Sequence, residues 1–234
     1  MPYFPIYGYH IDIWVIPVLL TAVWAIIASA RVNSTFKKYS KIKNVHGRTG
    51  AECAMAVLHA GGVYDVRVEK VSGKLTDHYD PKANVIRLSE EVYDSTSVAA
   101  LGVAAHEAGH AVQHATGYFP IKIRTAIVPV CQIGSNLAMP LVLLGLILGA
   151  LDLAYIGVAL FGLAAVFQLV TLPVEFNASS RALNCLETEG ILVGDEIKSA
   201  RKVLSAAAMT YVAALAVSVL TLLRYIAIAD RRRD

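Results

Sequence analysis

The sequence predicts a mainly α-helical membrane protein, with about four transmembrane helices and a small α+β insert. Three observations carry this. The 234-residue chain is 56% hydrophobic and 17% charged, with a mean hydropathy of +0.54, too apolar for an ordinary soluble domain. Four apolar stretches, 11–30, 126–150, 153–174 and 205–228, are each long enough to reach across a bilayer. Between the first and second lies a more polar segment, 44–96, in which helix and strand patterns mix.

The first stretch has Trp14 and Trp24 as interfacial anchors, no basic region before it and no small-residue cleavage site after it. It reads as an uncleaved anchor. Arg31, Lys37, Lys38, Lys41 and Lys43 follow it without an acid, which places this flank in the cytoplasm and the N-terminus outside. In the insert, 50–59 has helical periodicity stopped by Gly61-Gly62. Residues 63–71 alternate like a strand, and 84–88 form a second short strand after a turn at Asp80-Pro81. Cys53, Cys131 and Cys185 are scattered, odd in number and without a CxxC, and read as small buried hydrophobes.

Residues 106–110 read His-Glu-Ala-Gly-His. On a helix, His106 and His110 project from one face and can share one zinc ion, while Glu107 reaches a water at that ion. Ser95-Thr96-Ser97 supplies N-caps for that helix, and Gly117 and Pro120 mark its expected end. A helix, a small sheet and then the metal helix is the order of a zincin-like half-domain, whose edge strand can align an extended peptide. A catalytic zinc needs a third protein ligand. His114 lies roughly 12 Å along the helix axis from His106, too far to share the ion. It is expected behind the ligands or at the surface. His78, with Asp77 and Asp80, forms a polar cluster that could touch substrate or metal, although turn chemistry explains the two aspartates. His10, His46 and His59 have no partners at useful spacing.

The stretches 126–150 and 153–174 are separated only by Leu151-Asp152, which demands an antiparallel hairpin. Lys122 and Arg124 before it place its feet on the cytoplasmic side. Asn136 and Gln168 within it read as inter-helix hydrogen-bonding groups. Glu175 directly follows the hairpin and is the best candidate for the third ligand. A carboxylate at a membrane exit costs several kcal/mol to desolvate unless paired, hydrated or metal-bound. The bland alternative is an N-terminal helix glutamate favoured by the macrodipole, with Pro173 in the first turn. Residues 175–203 look helical, broken near Gly190 and Gly194. The last stretch, interrupted by Tyr211 and Arg224, is read as spanning, although Arg231-Arg232-Arg233 would then lie outside, against the charge rule.

HEAGHAVQHA together with LPVEFNASSRAL resembles the YugP-type membrane zinc metallopeptidases, a prokaryotic family, over nearly the whole chain. The resemblance implies one zinc ion held by His106, His110 and Glu175, with Glu107 catalytic. The layout is also similar to the wider HtpX-like HExxH membrane peptidases, whose glutamate helix reads E-x-x-A-D. Here Ser179 stands where that Asp would be, so Asn177 or Ser179 is expected to substitute for it.

The resulting expectation is a multi-pass cell-membrane zinc metalloendopeptidase. It would hydrolyse peptide bonds of membrane or membrane-proximal proteins at the cytoplasmic face. Arg181 and Tyr211 are candidate oxyanion donors. The parts are an anchor (1–31), a cytoplasmic zincin-like region (32–120), a transmembrane hairpin (121–174), a glutamate-helix region (175–203) and a C-terminal transmembrane helix with a basic tail (204–234). The alternative is a catalytically idle zinc-binding membrane scaffold or organiser, against which stands the open fourth position of a three-ligand site. A site-2-type intramembrane protease is disfavoured because only about eight uncharged residues precede His106, too few to reach the bilayer centre. A zinc transporter is disfavoured because the spans hold almost no carboxylates. The net charge of +3 gives no footing for a nucleic-acid partner; a homo-oligomer or a membrane partner protein stays open.

Overall fold

Helix dominates because the apolar runs are long, and the helices continue through Pro129, Pro140 and Pro173 that lie inside them. The computed structural model describes residues 5–6, 9–10 and 12–231. In order these form β1 (Pro5–Ile6), β2 (Tyr9–His10), α1 (Val15–Tyr39), α2 (Gly50–Ala60), β3 (Arg67–Val71), β4 (His78–Asp80), β5 (Val85–Ser89), α3 (Glu90–Tyr93), α4 (Val98–Ala115), α5 (Phe119–Leu148), α6 (Leu151–Thr188) and α7 (Asp195–Arg231). Helices α1, α5, α6 and α7 are long and apolar enough to cross a membrane, as the four apolar stretches predict. Arg232 and Arg233 of the basic tail, and with them the question of its side, lie outside the described residues.

The chain divides into two compact units. One comprises Met1–Ala28, Ile123–Thr171 and Thr210–Asp234. Within it the expected hairpin turns at Gly149, whose φ of 68° suits glycine. The two arms touch through small residues: a Cβ on Gly145 would stand 2.4 Å from the Ala154 nitrogen, and one on Gly157 2.7 Å from that of Val142. Arg224, the charge inside the last apolar stretch, is paired with Asp12 at 2.8 Å.

The other unit comprises Ser29–Lys122 and Leu172–Met209. Its helix α2 begins with a capping box: Thr49 Oγ1 accepts the Glu52 N–H and Glu52 accepts the Thr49 N–H. Its sheet has the order β3-β5-β4, with β5 parallel to β3 and antiparallel to β4. Val85, Ile86 and Leu88 of β5 are fully buried, and Ile86 and Leu88 join Leu58, Leu101, Leu186 and Leu192 in one core. Each such side chain contributes about 1.5–3 kcal/mol by leaving water.

Two expectations shift here. The strand expected at 63–71 starts only at Arg67, because Val63 closes the end of α2, donating its N–H to the Leu58 carbonyl. The second strand runs 85–89, since Asn84 has φ 52° and belongs to the turn. The reading from sequence also missed β4. Three residues next to an Asp-Pro turn are too few for alternation to register, and β4 exists because β5 supplies a partner. Asp77 helps pin it by accepting the N–H and Oγ–H of Ser89. Burial, reinforced by the nearby Glu107 charge, outweighs those hydrogen bonds and holds the Asp77 carboxyl above its usual range.

Candidate metal centre

Helix α4 begins where its cap predicts, with Ser97 Oγ accepting the Ala100 N–H at 3.2 Å, and its cap residue Thr116 immediately precedes Gly117. His106 and His110 are therefore one turn apart near its middle, their rings 4.7 Å between centroids. Glu175 lies in the interior of α6, not at a helix start. The apolar run and the segment after Glu175 are one helix with Pro173 inside it, so the N-terminal reading of this glutamate does not hold.

α4 and α6 meet at Gly109. A Cβ there would stand 2.8 Å from the Ala178 carbonyl oxygen, closer than real Cβ contacts come. The absent side chain lets the two backbones approach. Ala178 is three residues beyond Glu175 on α6, so the same approach carries Glu175 to the histidines. Gly109→Ala is accordingly expected to destabilise the fold by about 1–3 kcal/mol through overpacking and to weaken metal binding with it. Thermal unfolding and a zinc titration of the variant check this; unchanged values in both would contradict the close crossing.

The Nε2 atoms of His106 and His110 lie 3.3 and 3.6 Å from Glu175 Oε2. The ligand atoms of the three residues all fall within 4.8 Å of one another. Bonds of about 2 Å at tetrahedral angles put neighbouring zinc ligands roughly 3.3 Å apart, so this donor set fits one zinc ion. Glu175 is 2% exposed and His110 8%, whereas His106 and Glu107 are partly open. A carboxylate buried this deeply needs partners, and the two imidazoles at 3.3 and 3.6 Å, or a cation shared with them, supply these. Burial works against a charged His110, but the carboxylates of Glu175 and Glu107 outweigh it and raise this imidazole above its ordinary range.

The far nitrogens of both rings are held as well. His106 Nδ1 lies 3.1 Å from Ser179 Oγ. His110 Nδ1 lies 3.0 Å from Gln113 Oε1. Gln113 was not singled out from the sequence, although its i+3 spacing from His110 was a usable signal. Asn177 accepts from Gln113 Nε2 at 2.9 Å and from Arg181 Nε at 2.8 Å. Arg181 also lies over the Tyr118 ring, 5.9 Å from its centre. Glu107 Oε2 accepts the backbone N–H of Tyr79, on edge strand β4, at 3.0 Å. His114 packs against the Tyr79 ring at 5.4 Å. His78 is exposed, with Nδ1 2.7 Å from the Thr76 carbonyl and Nε2 3.4 Å from Arg87; it is not among the three converging residues.

A sequence family described as "Putative neutral zinc metallopeptidase" matches residues 13–230. The chain belongs to this family. It is also 51% identical over 207 residues to a Bacillus subtilis (strain 168) protein described as "Putative membrane protease YugP", covering 88% of this chain and 92% of that relative. No solved structure matches it. Membership of a zinc metallopeptidase family, with four helices able to cross a membrane, makes the chain a membrane hydrolase of zinc-peptidase type.

Proposed function

We propose that this family member is a zinc metalloendopeptidase that cleaves extended or locally unfolded segments of membrane or membrane-proximal proteins at the cytoplasmic face. His106, His110 and Glu175 hold one zinc ion, and Glu107 is the general base. The observation that supports this most is the convergence of two Nε2 atoms and one carboxylate oxygen on a volume of zinc-ligand size, beside the partly exposed carboxylate of Glu107 in the same HExxH turn. The basic flanks at 31–43 and 122–124 support the cytoplasmic side.

When bound, zinc supplies Lewis acidity toward a peptide carbonyl and acidifies a water toward neutrality. Glu107 takes the proton of the attacking water on its carboxylate and passes it to the leaving amide nitrogen. Ser179 and Gln113 hold the two imidazoles in place from behind. Tyr79 pairs with Ile86 on one side of β4, and its N–H is directed across the open edge at Glu107. A substrate laid along that edge takes over the Tyr79 N–H and frees Glu107 Oε2 for the water.

Metal removal is the direct test. Purified protein in detergent, stripped with a chelator, is expected to lose cleavage of an unstructured protein probe and to regain it with stoichiometric zinc. Cleavage that persists in fully stripped protein would exclude the proposal, and zinc binding without any cleavage would favour the idle scaffold.

A further inference from the structure

The two histidines are anchored differently, and the difference has a consequence. Ser179 Oγ can donate or accept, so it tolerates either neutral form of His106. Gln113 has no such latitude. Its Nε2 reaches two acceptors, the Val174 carbonyl at 2.8 Å and Asn177 Oδ1 at 2.9 Å. A backbone carbonyl only accepts, so the amide must present its N–H groups there and its oxygen to His110. Asn177 cannot relax this, because its Oδ1 also receives Nε–H from Arg181, a group that only donates. The Gln113 amide is fully buried, where an unmet polar atom is expensive.

We infer that Gln113 is a positioning residue that locks neutral His110 in the form with hydrogen on Nδ1, leaving the Nε2 lone pair aimed at Glu175 and the metal volume. The lock runs Arg181, Asn177, Gln113, His110, with Val174 setting the direction of the amide. It rests on the metal-centre reading and deepens it: one zinc ligand is pre-formed before metal arrives, and the other is set only when metal binds.

The experiment measures zinc affinity by chelator competition, without any cleavage assay, in detergent-purified wild type, Gln113→Met and Gln113→Glu. Methionine keeps the volume and removes the acceptor; zinc binding is expected to weaken roughly 10–100-fold, the usual effect of losing an outer partner. Glutamate keeps an acceptor for the Nδ1 hydrogen but loses the two donated bonds. It is expected to bind zinc within about threefold of wild type while unfolding at lower temperature, since a buried bond lost to a neutral acceptor destabilises. A role in packing alone predicts the reverse order, with methionine the better replacement. Nitrogen NMR of histidine-labelled, metal-free wild type above the histidine titration range is the second readout and needs no variant. A hydrogen on Nδ1 of His110 is expected; one on Nε2 overturns the lock, as does wild-type zinc affinity in Gln113→Met. Absence of peptidase activity in every protein would remove the hydrolase proposal and leave these readouts intact.

Discussion

Glu107→Gln is expected to bind zinc like the wild type and to cleave peptide roughly 10²–10⁴-fold more slowly, a loss of about 3–5 kcal/mol of transition-state stabilisation. The substitution is nearly isosteric. The glutamine oxygen still accepts the Tyr79 N–H that Glu107 Oε2 accepts at 3.0 Å, so the edge strand keeps its anchor. Only the ability to take a proton disappears. Initial rates on an unstructured protein probe, with zinc content measured on the same sample, separate the roles. Equal rates would show that Glu107 is not the base; lost zinc would show that it helps to hold the metal.

Removing the carboxylate of Glu175 is expected to have the largest effect on zinc itself. In Glu175→Gln, two imidazoles from one helix turn remain, and affinity should fall by more than the roughly 10–100-fold that losing an outer partner costs. The metal-free protein should lose stability as well, because the buried Glu175 carboxylate pairs with His106 and His110 at 3.3 and 3.6 Å and removing one partner of a buried pair destabilises. Zinc stabilises a folded protein by about 2.7 kcal/mol when it is present at a hundred times its Kd. Wild type should therefore gain melting temperature with zinc and the variant should not. Undiminished zinc affinity in Glu175→Gln would remove this residue from the ligand set.

Much of this was legible in the residues. Ser97 and Gly117 bracket α4 because a helix must satisfy its end groups, and side-chain caps are visible as letters. Glu175 stood out because an acid directly after 22 apolar-rich residues (153–174) needs a reason. Gln113 was within reach through helix periodicity but carries no charge, so nothing demanded an account of it. The backbone N–H of Tyr79 was not legible at all, since every residue except proline has one.

The order of types along the chain thus determined by itself which stretches are helical and apolar enough for a bilayer, and which four side chains are candidates for a hydrolytic zinc site, because periodicity, capping and desolvation cost act locally. Only the tertiary structure decided how those groups meet. Three decisions belong to it: α6 continuing through Pro173, the approach of α4 to α6 that Gly109 permits, and the seating of Gln113 between His110 and the Val174 carbonyl. The last two depend on the distance between segments more than sixty residues apart in sequence, set by close packing, and no local preference encodes such a distance.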